Sequence, residues 1–162
     1  MIKTVEGKAA IADAMKMVES ALDTPERRVF QILGYYGIGK RRALAELLEK
    51  RSIKPVEHHY AVIESATPLE AKIAADPAAV HLWDDVFRSN IMHPEVLQFF
   101  VDLEAGVLPF TGTCILVAND QEFPQFRFPP LPGVHIRLSN EEMIAHLEEE
   151  MKRRGQTDRA ME

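Results

Sequence analysis

Gln31-Ile32-Leu33-Gly34-Tyr35-Tyr36-Gly37-Ile38-Gly39-Lys40-Arg41-Arg42-Ala43-Leu44 is the stretch from which the rest of the chain can be read. An apolar run, Val29 to Leu33, breaks into three glycines and a lysine. A helix-forming run, Arg42 to Lys50, follows at once. The order is strand, glycine-rich loop, helix, and Gly34 to Lys40 fits G-x-x-x-x-G-K, the pattern of a phosphate-binding loop. Glycines let successive backbone N–H groups turn inward on an anion, and the helix N-terminus adds its positive end. Lys40 reaches the outer phosphates in such a loop. The next position calls for a Ser or Thr hydroxyl to hold Mg²⁺, and here it is Arg41. Taken alone, the stretch also reads as a strand-to-helix turn that merely needs glycines.

The composition sets the bounds. A chain of 162 residues, 46% apolar and 27% charged, suits one ordinary domain with a sizeable core. A net charge of −6 excludes a uniformly basic nucleic-acid surface but leaves local patches open. One cysteine, Cys114, inside an apolar run, offers neither a disulfide framework nor a thiolate metal site. The His58-His59 pair has no metal-ligand spacing with carboxylates on a helix face, so packing and strand solvation account for it. No apolar run approaches a membrane span and the N-terminus lacks a signal-peptide core, which predicts a cytoplasmic, reducing compartment and no membrane partner.

Along the chain, Ile11, Met15, Val18 and Leu22 place an amphipathic helix over residues 5 to 22, broken at Asp23-Thr24-Pro25. Strand one covers Arg28 to Leu33, and the helix after the glycine loop runs from about 40 to 51. Tyr60 to Glu64 reads as strand two. Thr67-Pro68-Leu69-Glu70 opens a short helix with a cap, a first-turn proline and a glutamate three after the cap. Strand three, Ala79 to Trp83, ends in Asp84-Asp85. Pro94 opens a helix closed by Gly106, and strand four, Thr113 to Ala118, ends in Asn119-Asp120. The connector Phe123 to Pro132 is too rich in proline for a helix. Strand five is Val134 to Leu138, and Ser139 with Glu142 caps a helix over 140–154. Lys152-Arg153-Arg154 would sit at its C-terminus, where the helix dipole favours cations. Strands alternate with helices and are near-continuous apolar runs, as in sheets buried on both faces. The expected fold is a three-layer α/β/α sandwich on a five-stranded, mostly parallel sheet. It forms one core over 1–154, with a frayed tail over 155–162. Ligands in such sheets sit at the carboxyl ends of strands, where Gly34 to Lys40, Asp84-Asp85 and Asn119-Asp120 all fall.

In this order of motifs the chain resembles the AAA+ ATPases from about residue 5 to about 150. In that family a Walker A loop follows the first strand, a Walker B acidic pair ends the third, and a polar sensor residue ends the fourth. Those positions match Gly34, Gly37, Gly39 and Lys40, then Asp84-Asp85, then Asn119. Pro94 to Gly106 with Gly112 to Asn119 is most similar to the MoxR and related branches. The resemblance implies a P-loop NTPase-like fold and an ATP/ADP site formed by Gly34, Gly37, Gly39, Lys40 and Arg41. Asp84 would hold Mg²⁺, Asp85 would orient the attacking water, and Asn119 would touch the γ-phosphate or that water. Asp85 is one methylene shorter than the family's usual glutamate.

The departures carry equal weight. Arg41 removes the Mg²⁺-binding hydroxyl and either neutralises phosphates as a fixed charge or swings outward. Arg127 and Arg88 are the nearest candidates for an arginine finger, though each reads more simply as a solvent-exposed arginine. The family's C-terminal lid is absent or reduced to the helix over 140–154. Lys40-Arg41-Arg42 opens a helix, where cations are unfavourable unless an anion lies nearby. Tyr35-Tyr36 offers stacking faces for a base. Three functions follow. The first is an ATP-binding AAA+-type subunit of weak or absent hydrolysis, working in a homo-oligomer or with another AAA+ protein in assembly or remodelling, with DNA metabolism as one setting. The second is a pseudo-ATPase scaffold that binds a partner ATPase without nucleotide. The third is a small-molecule kinase, for which no arginine-rich lid is evident.

Overall fold

The computed structural model describes residues 1–58, 67–84, 94–120 and 127–161. The first element is a strand, β1 (Ile2–Glu6), followed by helix α1 (Ala10–Leu22). Strand β2 (Val29–Gly34) and helix α2 (Lys40–Lys50) flank the glycine loop, and β3 (Val56–His58) comes next. Helix α3 (Thr67–Ala74), β4 (Val80–Asp84), α4 (Pro94–Glu104) and β5 (Thr113–Asn119) alternate through the middle of the chain. Strand β6 (Gly133–Arg137) and helix α5 (Asn140–Met161) complete the order.

The sheet has six strands in the order β1-β6-β2-β5-β4-β3, and every adjacent pair is parallel. The expected five strands do not include the N-terminal β1, nor β3 at Val56–His58. The residues before Gly7 pair with β6, Ile2 opposite Gly133, instead of extending the first helix. Their signal is weak because β1 is a short edge strand with only partly buried apolar positions. Tyr60 to Glu64, read as a strand, lies outside the described residues. Helix α5 continues to Met161, past Gly155, where the sequence pattern ended it.

Alternation along the strands divides the core in two. Val29 and Leu33 of β2, Trp83 of β4, and Cys114 and Leu116 of β5 meet Leu69 of α3 and Phe100 and Leu103 of α4 on one face. Phe30 and Ile32, Ile115 and Val117, and Val134 and Ile136 of β6 meet α1 and α2 on the other. The layers are therefore α/β/α. Helix α1 turns its small residues inward. Ala10, Ala14, Val18 and Ala21 are buried, while Ile11, Met15 and Leu22 sit at the margin of the core. The stripe read from the larger residues is displaced by about one position, because alanines let α1 approach the sheet closely.

Side chains fasten the ends of elements. Glu104, closing α4, accepts hydrogen bonds from the backbone N–H groups of Arg28 at 2.8 Å and Val29 at 3.1 Å, and from Arg27 Nη1 at 2.9 Å. Asp23 after α1 pairs with Arg51 after α2, and that guanidinium holds the Asp23 carboxyl below its ordinary range. The capping box expected before α5 forms. The Ser139 N–H donates to Glu142 Oε1 and the Glu142 N–H to Ser139 Oγ, both at 3.1 Å.

Candidate functional site

Strand β2 is central, with β6 on one side and β5 on the other. Register places Gly34 opposite Asn119, and Asp84 opposite Val117, two residues earlier on β5. The carboxyl ends of β2, β4 and β5 thus converge, as ligand sites in open parallel sheets do. Gly37 and Gly39 have φ of +82° and +93°, left-handed values that strain any other L-residue. They carry the chain from β2 into α2 within five residues, and Gly39 is the N-cap of that helix.

Lys40 lies folded back beneath the loop and is 5% exposed. Its ammonium donates to Gly34 O at 3.0 Å, Tyr35 O at 2.8 Å and Asn119 Oδ1 at 3.1 Å. Three donors thus meet three acceptors, which is how a buried cation is tolerated. The contact with Asn119 also ties the end of β5 to the start of α2. Arg41 neither swings away nor stands alone. Its Nη1 is 3.3 Å from Asp84 Oδ2, so a fixed guanidinium charge sits on the carboxylate expected to hold a metal. Arg42 Nη1 lies 3.3 Å from Glu150 Oε2 on α5.

These groups line one cleft of about 410 Å³, together with Tyr36, Gly37, Gly39 and Arg154. Four cations, Lys40, Arg41, Arg42 and Arg154, face two carboxylates, Asp84 and Glu150, so the cleft carries a positive excess on a chain of net charge −6. Exposed Tyr36 stands at its edge. Such a cleft can hold a polyphosphate through loop N–H groups, the α2 N-terminus and arginine charge. As arranged, the residues do not fit a resident Mg²⁺. The hydroxyl position is an arginine, Asp84 is paired with it, and no group of three metal-ligating side chains occurs among the described residues.

The structure brings together Gly34, Gly37, Gly39, Lys40, Arg41, Asp84 and Asn119. Asp85 and Arg88 lie outside the described residues, and Arg127 is exposed. Asp120, next to Asn119, pairs with buried His135 Nε2 at 3.0 Å. Sequence reasoning found the helix over 140–154 but not its place beside the cleft. Because that helix runs to Met161, Lys152-Arg153-Arg154 lies within it and not at its end, and Arg154 faces the cleft. The signal was there in Lys40-Arg41-Arg42, a cationic helix start that needs anions; Asp84 and Glu150 supply them. Of the packing and strand solvation expected for His58, the packing is found. It stacks on Trp83 at 3.9 Å between ring centroids and bonds His81 Nδ1 at 2.8 Å.

No protein-family model and no curated protein matches the sequence. Among solved structures, the Thermotoga maritima RuvB Holliday junction branch migration motor superposes on 90% of this chain with a TM-score of 0.55 and 12% identity. The chain has a P-loop NTPase-like α/β fold. The superposition takes in 52% of the motor, so this chain spans about half its length. At that identity the likeness concerns the P-loop fold alone. Within this fold, β2, the glycine loop and α2 form one continuous strand–loop–helix segment. No helix among the described residues is long and apolar enough to cross a membrane.

Proposed function

We propose that the chain is an AAA+-type ATP-binding subunit, with weak or absent hydrolysis, that works in an assembly or remodelling complex. The observation that carries this reading is the convergence of the glycine loop, Lys40 and Asn119 with the Arg41–Asp84 pair in one cationic cleft. ATP or ADP would be held by Gly34, Gly37, Gly39, Lys40 and Arg41. Asn119, already bonded to Lys40, would report the γ-phosphate to β5. Asp85 would orient water. Phosphoryl transfer depends on positioning and on charge stabilisation, which Arg41 supplies without the geometry of a metal. Weak turnover follows from that exchange.

The MoxR-like pattern over Pro94 to Asn119 supports placement in that branch, with a homo-oligomer or a second AAA+ protein as the partner. The likeness to a motor of Holliday junction branch migration supports a setting in DNA metabolism. Nucleic acid would then meet a local patch, since net charge is −6. A second reading, a pseudo-ATPase scaffold, is favoured by the same Arg41–Asp84 pair, which satisfies the metal position without any nucleotide.

Calorimetry with ATP and ADP, with and without Mg²⁺, on the wild type and on Lys40→Ala separates the two. Binding that is indifferent to Mg²⁺ and lost in Lys40→Ala is the expected result. No binding at millimolar nucleotide would leave the scaffold reading.

A further inference from the structure

Helix α5 lies on the glycine loop. A Cβ added to Gly37 would come within 2.8 Å of Leu147 Cδ2, and one added to Gly39 within 3.7 Å of Glu150 Oε1. The Glu150 carboxylate thus rests against the N-cap of α2, where a phosphate-binding loop attracts an anion. It is ion-paired with Arg42, yet its Oε2 is shut off from solvent and accepts no hydrogen bond among the described residues. The helix is held lightly elsewhere. Ile144 and Met151 are 56% and 71% exposed, and most of its other described positions are exposed or only partly buried.

We propose that α5 is a displaceable plug on the nucleotide site, with Glu150 standing in for the anion and Leu147 seated on the loop. This inference rests on the nucleotide-binding reading above. An incoming polyphosphate meets like charge from Glu150, and it competes for the Arg42 guanidinium. A lone ion pair to a 38% exposed arginine contributes little, so exchanging Glu150 for a multivalent phosphate on the same cations is favourable. Nucleotide therefore enters as α5 lifts, and nucleotide occupancy is converted into the position of a helix.

The test uses ATP as the probe on the full chain. Dissociation constants are measured for the wild type, Glu150→Gln and Leu147→Ala, and amide hydrogen exchange over residues 143–154 is followed with and without ATP. Glu150→Gln, which keeps the shape and removes the charge, should tighten ATP binding about tenfold. Leu147→Ala, which leaves the charge alone, should also tighten it, and ATP should speed α5 exchange in the wild type. Binding by Glu150→Gln alone, with none by the wild type, supports the plug. Unchanged affinity in both variants with unchanged α5 exchange overturns the plug while the nucleotide site stands. Tightening in Glu150→Gln only, with α5 still protected, reduces Glu150 to a local charge and overturns displacement. No ATP binding by any of the three at millimolar concentration overturns the nucleotide reading, and the plug with it.

Discussion

Lys40 and Arg41 are neighbours in sequence that solve opposite problems. Lys40 is buried and surrenders its mobility to three oxygen acceptors, so its charge is fixed beneath the loop. Arg41 is 57% exposed and reaches across to Asp84, making the carboxylate expected to hold a metal half of an ion pair. Cys114 shows a third outcome, a reactive group made inert. It lies in the core, accepts a bond from Trp83 Nε1 at 3.3 Å, and burial pushes its thiol up to about 12. Two consequences can be measured. Alkylating reagents at pH 8 should modify Cys114 only after unfolding, as followed by mass spectrometry. Above pH 9 the unfolded thiol ionises while the native one keeps its proton. The thiol's contribution to stability is therefore complete below 9 and is lost as pH rises toward 12, at about 1.4 kcal/mol per pH unit. Urea unfolding at pH 9, 10 and 11 should show that slope in the wild type and lose it in Cys114→Ala.

Elements are fixed to one another by a few end contacts, and Glu104 is the clearest. One carboxylate closes α4 and also takes two backbone donors at the entry to β2, the strand that leads into the glycine loop. Glu104→Gln keeps the shape but removes the charge from three hydrogen bonds, and it should lower stability by about 2 kcal/mol in denaturant unfolding. Local signals of this kind differ in how well they show in sequence. The Ser139–Glu142 box is legible because both partners lie within one turn, and the strands β2, β4 and β5 are legible because both of their faces are apolar. The glycine loop with Lys40, Asp84 and Asn119 could likewise be assembled from motif order. Strand β1 was not legible, since an edge strand with polar residues carries little periodicity. Nor was the seat of α5 on the loop. Leu147 and Glu150 read as ordinary helix residues until the fold brings Gly37 and Gly39, more than a hundred positions away in sequence, against them.

At the scale of the molecule, the cationic cleft opens at the carboxyl ends of the inner strands while the net charge of the chain is −6. If ATP lifts α5, it also changes which apolar residues face outward around Ile144 and Met151. Concentration-dependent association that responds to ATP is then expected in sedimentation velocity, and an unchanged monomer with and without saturating ATP would count against an assembly role. The topology has a further consequence, and it concerns birth. Both neighbours of β2, strands β5 and β6, come from the last third of the chain. A growing polypeptide on the ribosome thus carries its glycine loop early but cannot hold it in shape, because nothing yet flanks the strand beneath it. Throughout most of synthesis Lys40 has no Asn119 to bind. The strand beneath the glycine loop is therefore paired only once the last third of the chain has been made.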